Sequence, residues 1–411
     1  MPALSHRPRA SASSGTPNAF ELDEPELGLS NAEMQARLAG PVTAEALAAM
    51  TPDQRRERLE GLGDAEKQAI VAQNPQLIGN MDGVPVAMRY SANRLLVGAE
   101  VQRLTAALSQ KPDDKGLARR LEAVKKLAGS QLLRFDPKGD GGVVEVFGDL
   151  ETADNVSVVV PGVGNDLDNY DSQVRPMAEN LQESTDALTD KCVATISYLY
   201  DTPTGLDEIG KDPIDVAKET TNTKRADAVA GDLTNLVGGL GLKDETQLTA
   251  VGHSYGSVVI GQAMHDHGFN PDDAVFMGSP GLGVGGKDEL LRKDDKDPSN
   301  DLSTETWAGR AALDAVAMGT KVAPLFGPQP QTYADHEVET GGVLGHGNYF
   351  DKGSESLENV ARIAAGHEEQ VTEEKDPAWK RDGGAVLNKG KEAVGGAIGG
   401  AVDWVKKKWP F

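Results

Sequence analysis

The residues best suited to chemistry form a Gly-x-Ser-x-Gly pattern at 252–256, with Ser254 at its centre. An apolar run at 248–251 precedes the pattern, and a run compatible with a helix follows it at 257–264. A serine at the tip of a sharp strand-to-helix turn needs strained backbone angles, and flanking glycines let strand and helix approach closely. The pattern alone is weak evidence in a chain with 47 glycines, but its position between strand and helix predicts a nucleophilic serine.

A serine hydroxyl is a weak nucleophile at neutral pH, so it needs a histidine base and a carboxylate that orients the histidine. In folds with this turn, the acid and then the histidine follow the serine along the chain. We predict His346 as the base, because it lies in the glycine-rich loop 342–350 that opens into a helix. The other histidines after the serine are less suitable by position: His265, His267, His336 and His367. The spacing of His265 and His267 is only a weak metal signal, and no metal site is expected.

For the carboxylate we predict Asp314, which follows a plausible strand beginning near Thr306. The alternative is that Asp314 only caps a helix beginning at Ala315, which is an ordinary role for an aspartate at that position. In that case Asp301 or Asp335 would be the acid instead. The residues themselves leave this choice open.

Attack by the serine creates an oxyanion, which backbone N–H groups must stabilise. One donor is usually the residue after the nucleophile, here Tyr255, and the other comes from a loop after an earlier strand. The buried run 156–160 ends in the glycine turn 161–164, so we predict the N–H of Val163 as the second donor. If that segment is only a tight turn, the hole loses a donor and about two orders of magnitude in rate.

The chain divides into four predicted parts. Residues 1–40 lack periodicity and are expected to form a disordered arm. Residues 41–128 show helical periodicity and form a small N-terminal module, and residues 129–370 form the catalytic domain. In that domain a hairpin is followed by strands that alternate with helices, which predicts an α/β fold with a mostly parallel sheet wrapped by helices. The charged segment 283–305 is an insertion that is either a lid or a solvated loop without a role.

Residues 371–411 form the fourth part, a basic amphipathic tail. Its apolar residues recur at near-helical spacing with five lysines nearby, but five glycines weaken the helix. Such a segment contacts an anionic membrane or a protein partner, or it docks on its own acidic domain. These alternatives stay open.

Composition excludes some classes of protein. The 41 basic and 64 acidic residues give a net charge of -23, which repels phosphate backbones and argues against nucleic-acid binding. Cys192 is the single cysteine, stands in an apolar stretch and is expected to be a small core residue. No apolar run is long enough for a signal-peptide core or a transmembrane helix, so a cytoplasmic protein, or one exported without a cleaved signal, is expected. No cofactor is expected.

Taken together, these features resemble an actinobacterial α/β-hydrolase family whose members are mostly unassigned in substrate. The likeness covers roughly residues 70–366, and its landmarks stand in the family's order. Besides the serine turn they are 74–85, Arg89, 92–94, 148–156, 160–162, 278–281, 310–316, 326–328, His346 and 349–351. The sequence departs from the family in the charged insertion after Gly283 and in Gly347, where a serine commonly follows the histidine.

The resemblance implies the α/β-hydrolase fold behind a small helical N-terminal module, and a catalytic triad of Ser254, Asp314 and His346. It does not imply a substrate. The first hypothesis is a serine esterase or lipase-like enzyme that cleaves a small-molecule or lipid ester through an acyl-enzyme. The second is a catalytically inert scaffold that binds a partner. Peptidase, thioesterase and acyltransferase chemistry would use the same triad.

Overall fold

The computed structural model describes residues 42–200, 223–291, 303–314, 316–317, 326–376 and 380–382. The predicted arm, residues 292–302 of the charged insertion, which include Asp301, and the tail beyond 382 lie outside the described residues. Within the described ranges, no helix combines the length and apolar character needed to cross a bilayer.

The N-terminal region is helical. Its helices are α1 (Ala44–Ala48), α2 (Pro52–Glu60), α3 (Asp64–Gln73), α4 (Pro75–Gly79), α5 (Val86–Gln110) and α6 (Lys115–Lys126). Helix α2 begins with a capping box, in which Thr51 Oγ1 accepts from the Gln54 amide at 3.3 Å and Gln54 Oε1 accepts from the Thr51 amide at 3.0 Å. The long helix α5 packs on α6 and on the first strand, so these helices lie against the edge of the sheet.

The sheet has eight strands in the order β1-β2-β4-β3-β5-β6-β7-β8. They are β1 (Gln131–Asp136), β2 (Gly142–Gly148), β3 (Asn155–Val160), β4 (Val193–Leu199), β5 (Gln247–His253), β6 (Asp273–Met277), β7 (Glu305–Gly309) and β8 (His336–Val338). Strands β1 and β2 form the predicted antiparallel hairpin, and β2 is also antiparallel to β4. All pairings from β4 through β8 are parallel, which confirms the predicted mostly parallel sheet.

Helices cover both faces of the sheet. On one face α8 (Thr223–Leu240) and α9 (Tyr255–His267) pack together, with the short α10 (Lys287–Leu291) beside α9; on the other lie α7 (Arg175–Asp186) and α11 (Glu355–Ala364). Val158 of β3 belongs to the core on the first face, and its neighbour Val159 belongs to the core on the second. A central strand buried on both faces must be apolar at consecutive positions, which explains its unbroken run of valines.

The carboxyl ends of parallel strands meet at one edge of a sheet. Strands β3, β5, β7 and β8 therefore all deliver their following loops to the same edge. These loops contain 161–164, Ser254, 310–314 and 339–346. The strand order thus gathers at one edge the loops that carry Val163, Ser254, Asp314 and His346.

One expectation from the sequence is wrong, and one strand was not predicted. Cys192 is exposed rather than a core residue, because it lies in the turn before β4, where its carbonyl accepts from the amides of Asp154 and Asn155. The three-residue strand β8, which begins at His336, was not predicted. His336 and Glu337 are polar and only partly buried, and only Val338 is buried, so the strand has no recognisable periodicity.

A buried ion network joins the N-terminal helices to the sheet. Arg134 on β1 pairs with Asp82 at 2.9 Å and also with Asp232 of α8, and Arg89 of α5 lies 3.3 Å from Asp82. The side chains of Arg89 and Arg134 are 0% and 5% exposed. Desolvation lowers the pKa of Arg89 to about 10, although Asp82 opposes this. Asp82 thus supplies a counter-charge that offsets the desolvation of two buried guanidinium groups.

Replacing Asp82 by asparagine should lower the free energy of unfolding by about 3–5 kcal/mol, because two buried cations lose a counter-charge. Chemical denaturation measures this. The control is Asp53→Asn, which removes an ion pair to Arg56 from a side chain that is 88% exposed and should cost less than about 1 kcal/mol. Equal effects of the two variants would contradict the role of the network.

Candidate active site

Ser254 occupies a strained backbone conformation between β5 and α9. Its φ of 54° and ψ of -125° lie in a region that residues with a side chain rarely adopt. A Cβ on Gly252 would lie 2.7 Å from the Ser257 backbone, and one on Gly256 would overlap the Val160 carbonyl. The Ser254 amide donates to the Met277 carbonyl at 3.0 Å. The two glycines are therefore required by close approach of the backbone, as the pattern predicts.

The structure brings Ser254, His346 and Asp314 together. Ser254 Oγ lies 2.8 Å from His346 Nε2, and His346 Nδ1 lies 3.0 Å from both carboxylate oxygens of Asp314. Ser254 is 7% exposed and Asp314 is fully buried, whereas the His346 side chain is 31% exposed. The imidazole is thus partly exposed to solvent, the serine is nearly buried, and the carboxylate is fully buried.

The Asp314 carboxylate is surrounded by donors. Oδ1 accepts from the amides of Val316 at 2.9 Å and Ala317 at 3.1 Å, and Oδ2 accepts from the Tyr349 hydroxyl at 2.6 Å. Burial would raise the pKa of Asp314, but the hydrogen bonds from His346, Tyr349 and Ala317 together hold this pKa below its ordinary value. Asp314 therefore caps the turn that follows it and also contacts His346. Its role as a cap and its role as the acid are compatible.

Two residues that the sequence did not assign to the site support its histidine. Tyr349 accepts from the Ala311 amide at 2.8 Å while it donates to Asp314. His253 Nε2 lies 2.8 Å from the carbonyl oxygen of His346, and because a carbonyl only accepts, this nitrogen carries a proton. His253 directly precedes Ser254, and Tyr349 lies in the loop that carries His346. The spacing of these residues alone does not indicate where their side chains point.

The His253 ring is packed among other rings. Its centroid lies 4.9 Å from that of His346, 5.6 Å from that of Tyr349 and 6.0 Å from that of Phe350. Burial, together with the neighbouring imidazole of His346, lowers the pKa of His253 to about 4. His253 is therefore neutral near pH 7 and holds the backbone of the His346 loop through a single N–H donor.

The other candidates lie away from Ser254. His265 contacts the Glu289 carbonyl at 3.0 Å, and His267 contacts Asp227 at 2.8 Å. His336 stacks on Trp307 at 4.2 Å and lies between Glu305 and Glu373.

His367 stands at the start of the 3-10 turn Glu368–Gln370, after α11. Asp335 accepts from the amide and hydroxyl of Thr306, at the amino end of β7, and pairs with Lys287. In the described ranges no group of three or more His, Cys, Asp or Glu side chains is arranged to hold a metal ion.

The segments that carry the predicted oxyanion donors, Tyr255 and Val163, lie next to Ser254. Tyr255 is the first residue of α9, so the positive end of that helix lies at Ser254. A Cβ on Gly162 would lie 3.1 Å from Ser254 Oγ, which places the loop after β3 directly against the nucleophile. Asn165 and Asn169 donate to the carbonyls of Gly162 and Gly164, each at 2.8 Å. These bonds define the loop that carries Val163, whose role as a donor remains a prediction.

Comparison with known proteins supports the α/β-hydrolase fold. A family model described as alpha/beta hydrolase matches residues 136–324. Two uncharacterized proteins of Mycobacterium tuberculosis, from strains CDC 1551 and H37Rv, are 26% identical over 369 residues, covering 74% of this chain and 54% of theirs. The chain thus spans about half the length of the curated relatives that it matches.

Solved structures show more remote likeness. A predicted CIB-like hydrolase from Thermoplasma acidophilum is 14% identical, with 57% of this chain and 95% of that chain covered and a TM-score of 0.31. Carboxyl esterase 2 from the fungus Tuber melanosporum is also 14% identical, with 56% and 83% covered and a TM-score of 0.31.

The lowered pKa of His253 predicts a pH dependence of stability. Unfolded, the imidazole takes up a proton near pH 6.5, whereas in the folded protein it does so near pH 4. Between these values the unfolded state binds more protons, so stability is present above pH 6.5 and is lost as the pH falls towards 4, by about 3 kcal/mol in total. His253→Gln keeps an N–H donor without this proton uptake. The free energy of unfolding of this variant should therefore fall less than that of the wild type between pH 7 and 4.5. An equal fall in the two proteins would contradict the lowered pKa of His253.

Proposed function

We propose that this chain, which has the α/β-hydrolase fold, is a serine hydrolase that cleaves carboxylic esters through an acyl-enzyme on Ser254. The fold follows from the family match and from the mostly parallel sheet, and the predicted resemblance to actinobacterial hydrolases of unassigned substrate is confirmed by the match and by the mycobacterial relatives. The observation that carries the proposal is the continuous hydrogen-bonded line from Ser254 Oγ through His346 to the buried carboxylate of Asp314.

Each member of this line has a defined task in the proposed reaction. His346 Nε2 takes the proton of Ser254 as Oγ attacks the ester carbonyl, and Asp314 orients the ring and stabilises its charged form. The N–H groups of Tyr255 and Val163 would stabilise the oxyanion. His346 then gives the proton to the leaving alcohol, and a water activated by the same ring releases the acid.

The surroundings of the serine support an apolar acyl or alkyl group in the substrate. Among the described residues, the large apolar side chains that are most exposed are Leu95, Val163 and Leu344, at 50%, 37% and 36%. Val163 follows the glycine that contacts Ser254, and Leu344 lies two residues before His346. Exposed apolar groups beside a nucleophile favour a small-molecule or lipid ester over a charged polymer.

The alternatives are distinct in their chemistry. A catalytically inert scaffold would keep the fold without a reactive hydroxyl. A peptidase, thioesterase or acyltransferase would use the same three side chains, and these activities differ in leaving group or acceptor. Nitrophenyl esters of rising acyl length, assayed beside an amide, a thioester and an alcohol acceptor, separate them, and a preference for the amide or thioester would replace the ester proposal.

A fluorophosphonate probe should label the wild-type protein at Ser254, because only an activated hydroxyl reacts with it. Ser254→Ala should abolish the labelling, as measured by intact mass. Ser257→Ala is the matched control, since Ser257 is buried on the same helix and its hydroxyl donates to the Gly252 carbonyl at 3.0 Å. This control should label like the wild type. Absence of labelling in every protein would favour the scaffold.

Asp314→Asn should reduce kcat for an ester substrate by about 10³- to 10⁴-fold, because the histidine loses the charge that holds its tautomer. Asp335→Asn removes a carboxylate that contacts Thr306 and Lys287, and it should leave kcat unchanged. Steady-state kinetics of the two variants decide the assignment. A large loss in Asp335→Asn and none in Asp314→Asn would reverse it.

A further inference from the structure

The segment 380–382, near the end of the described chain, lies against the loop that carries Asp314. Asp382 is 8% exposed, and its carboxylate accepts from both terminal nitrogens of Arg310, at 3.2 and 3.3 Å. The same carboxylate accepts from the Leu313 amide at 3.0 Å. Arg310 is itself 6% exposed, so the group is desolvated on both sides.

The backbone that Asp382 contacts is strained. Leu313 has a φ of 61°, and besides Ser254 it is the only non-glycine residue with a positive φ among the described residues. A leucine in this left-handed region has its Cβ too close to its own carbonyl, and such a conformation persists only where its surroundings hold it. Leu313 directly precedes Asp314, so this strained residue determines where the acid's carboxylate is presented.

The same loop is also connected to the histidine. The Gly345 amide donates to the Ala312 carbonyl at 2.9 Å, and 312 and 344 form a short parallel bridge. The Ala311 amide donates to Tyr349, which in turn donates to Asp314. A shift of residues 310–314 would therefore move both the carboxylate and the loop of His346.

The segment reaches this position through contacts of its own. The Glu339 amide donates to the Thr372 carbonyl, and the Glu374 amide donates to the Glu337 carbonyl, both at 2.8 Å, beside strand β8. Arg381 then contacts Glu337 at 2.8 Å and Glu374 at 3.0 Å. These bonds deliver Asp382 to the acid loop from a part of the chain beyond the sheet and its last helix.

We propose that Asp382 is a positioning residue of the active site, which holds the strained turn at Leu313 and thereby sets the carboxylate of Asp314 against His346. This inference rests on the proposed hydrolase function. A contribution of the buried Arg310–Asp382 ion pair to stability does not explain why the pair is present, because a buried ion pair is often no more stabilising than apolar residues of similar size. What the carboxylate supplies, and an apolar side chain cannot, is an acceptor for the Leu313 amide.

Asp382→Ala should lower kcat by about 100-fold with KM changed less than about twofold, because a displacement of about 1 Å in the catalytic geometry costs that much without altering substrate contacts. The rate is normalised to the fraction of protein that a fluorophosphonate titrates, so that unfolded protein is not counted. Lys380→Gln is the matched control, since it removes a charge two residues away that contacts only the exposed Asp376. This control should keep the wild-type kcat.

Two further variants separate positioning from loss of folding. Arg310→Met with Asp382→Leu replaces the buried pair by apolar groups and should fold, yet it should lose kcat like Asp382→Ala because the Leu313 amide still lacks its acceptor. Leu313→Gly in the Asp382→Ala background should recover about fivefold to tenfold of kcat, because glycine adopts a positive φ without strain. Because the rate is normalised to titrated protein, a defect of stability alone would show neither the loss of kcat nor its recovery.

Amide hydrogen exchange gives a readout that does not require activity. The amides of Leu313, Val316 and Ala317 should exchange faster in Asp382→Ala than in the wild type, while those of β5 stay protected. Wild-type kcat and unchanged exchange in Asp382→Ala would overturn the inference. A wild-type protein that neither labels nor hydrolyses esters would instead overturn the proposed function, and the exchange experiment would still decide whether Asp382 holds the loop.

Discussion

The structure of the site depends on one buried negative charge, the carboxylate of Asp314. A carboxylate can remain ionised in a fully buried position only where hydrogen-bond donors replace water. Backbone amides from the following turn, a tyrosine hydroxyl and the imidazole of His346 supply these donors. Because these donors come from two segments, residues 316–317 and the loop that carries His346 and Tyr349, the requirement to satisfy this one charge constrains the acid loop and the histidine loop together.

Among the described residues, a non-glycine positive φ occurs at two places, one at a proposed catalytic residue and one directly before another. Ser254 adopts a positive φ itself, and Leu313 does so immediately before Asp314. At the serine, the strain is held by the sheet, since β5 and α9 are packed through glycines that leave no room to relax. At the acid, we propose that the carboxylate of Asp382 holds it, through the Leu313 amide. The strained turn of the nucleophile thus lies in the central core, whereas that of the acid contacts the end of the described chain.

Much of the fold could be predicted because its signals are local. The turn at 252–256, the valine run of β3 and the alternation of strands with helices all follow from periodic burial and from glycines that close approach requires. The short strand β8 and the exposure of Cys192 could not be predicted. A three-residue polar strand has no period, and an apolar stretch does not reveal that its first residue lies in a turn.

The amino-acid order alone pointed to Ser254, His346 and the candidate carboxylates, because residue type and chain order carry that information. It left Asp314 and its competitors unresolved. Tertiary structure decided which carboxylate reaches the histidine, since the strand order delivers the loop after β7 to the same sheet edge as Ser254, whereas Asp335 lies at the amino end of that strand. It also decided the contacts of His253, Tyr349 and Asp382. The hydrogen bonds among these contacts join residues up to 93 positions apart, and no local pattern encodes where side chains so distant in sequence meet.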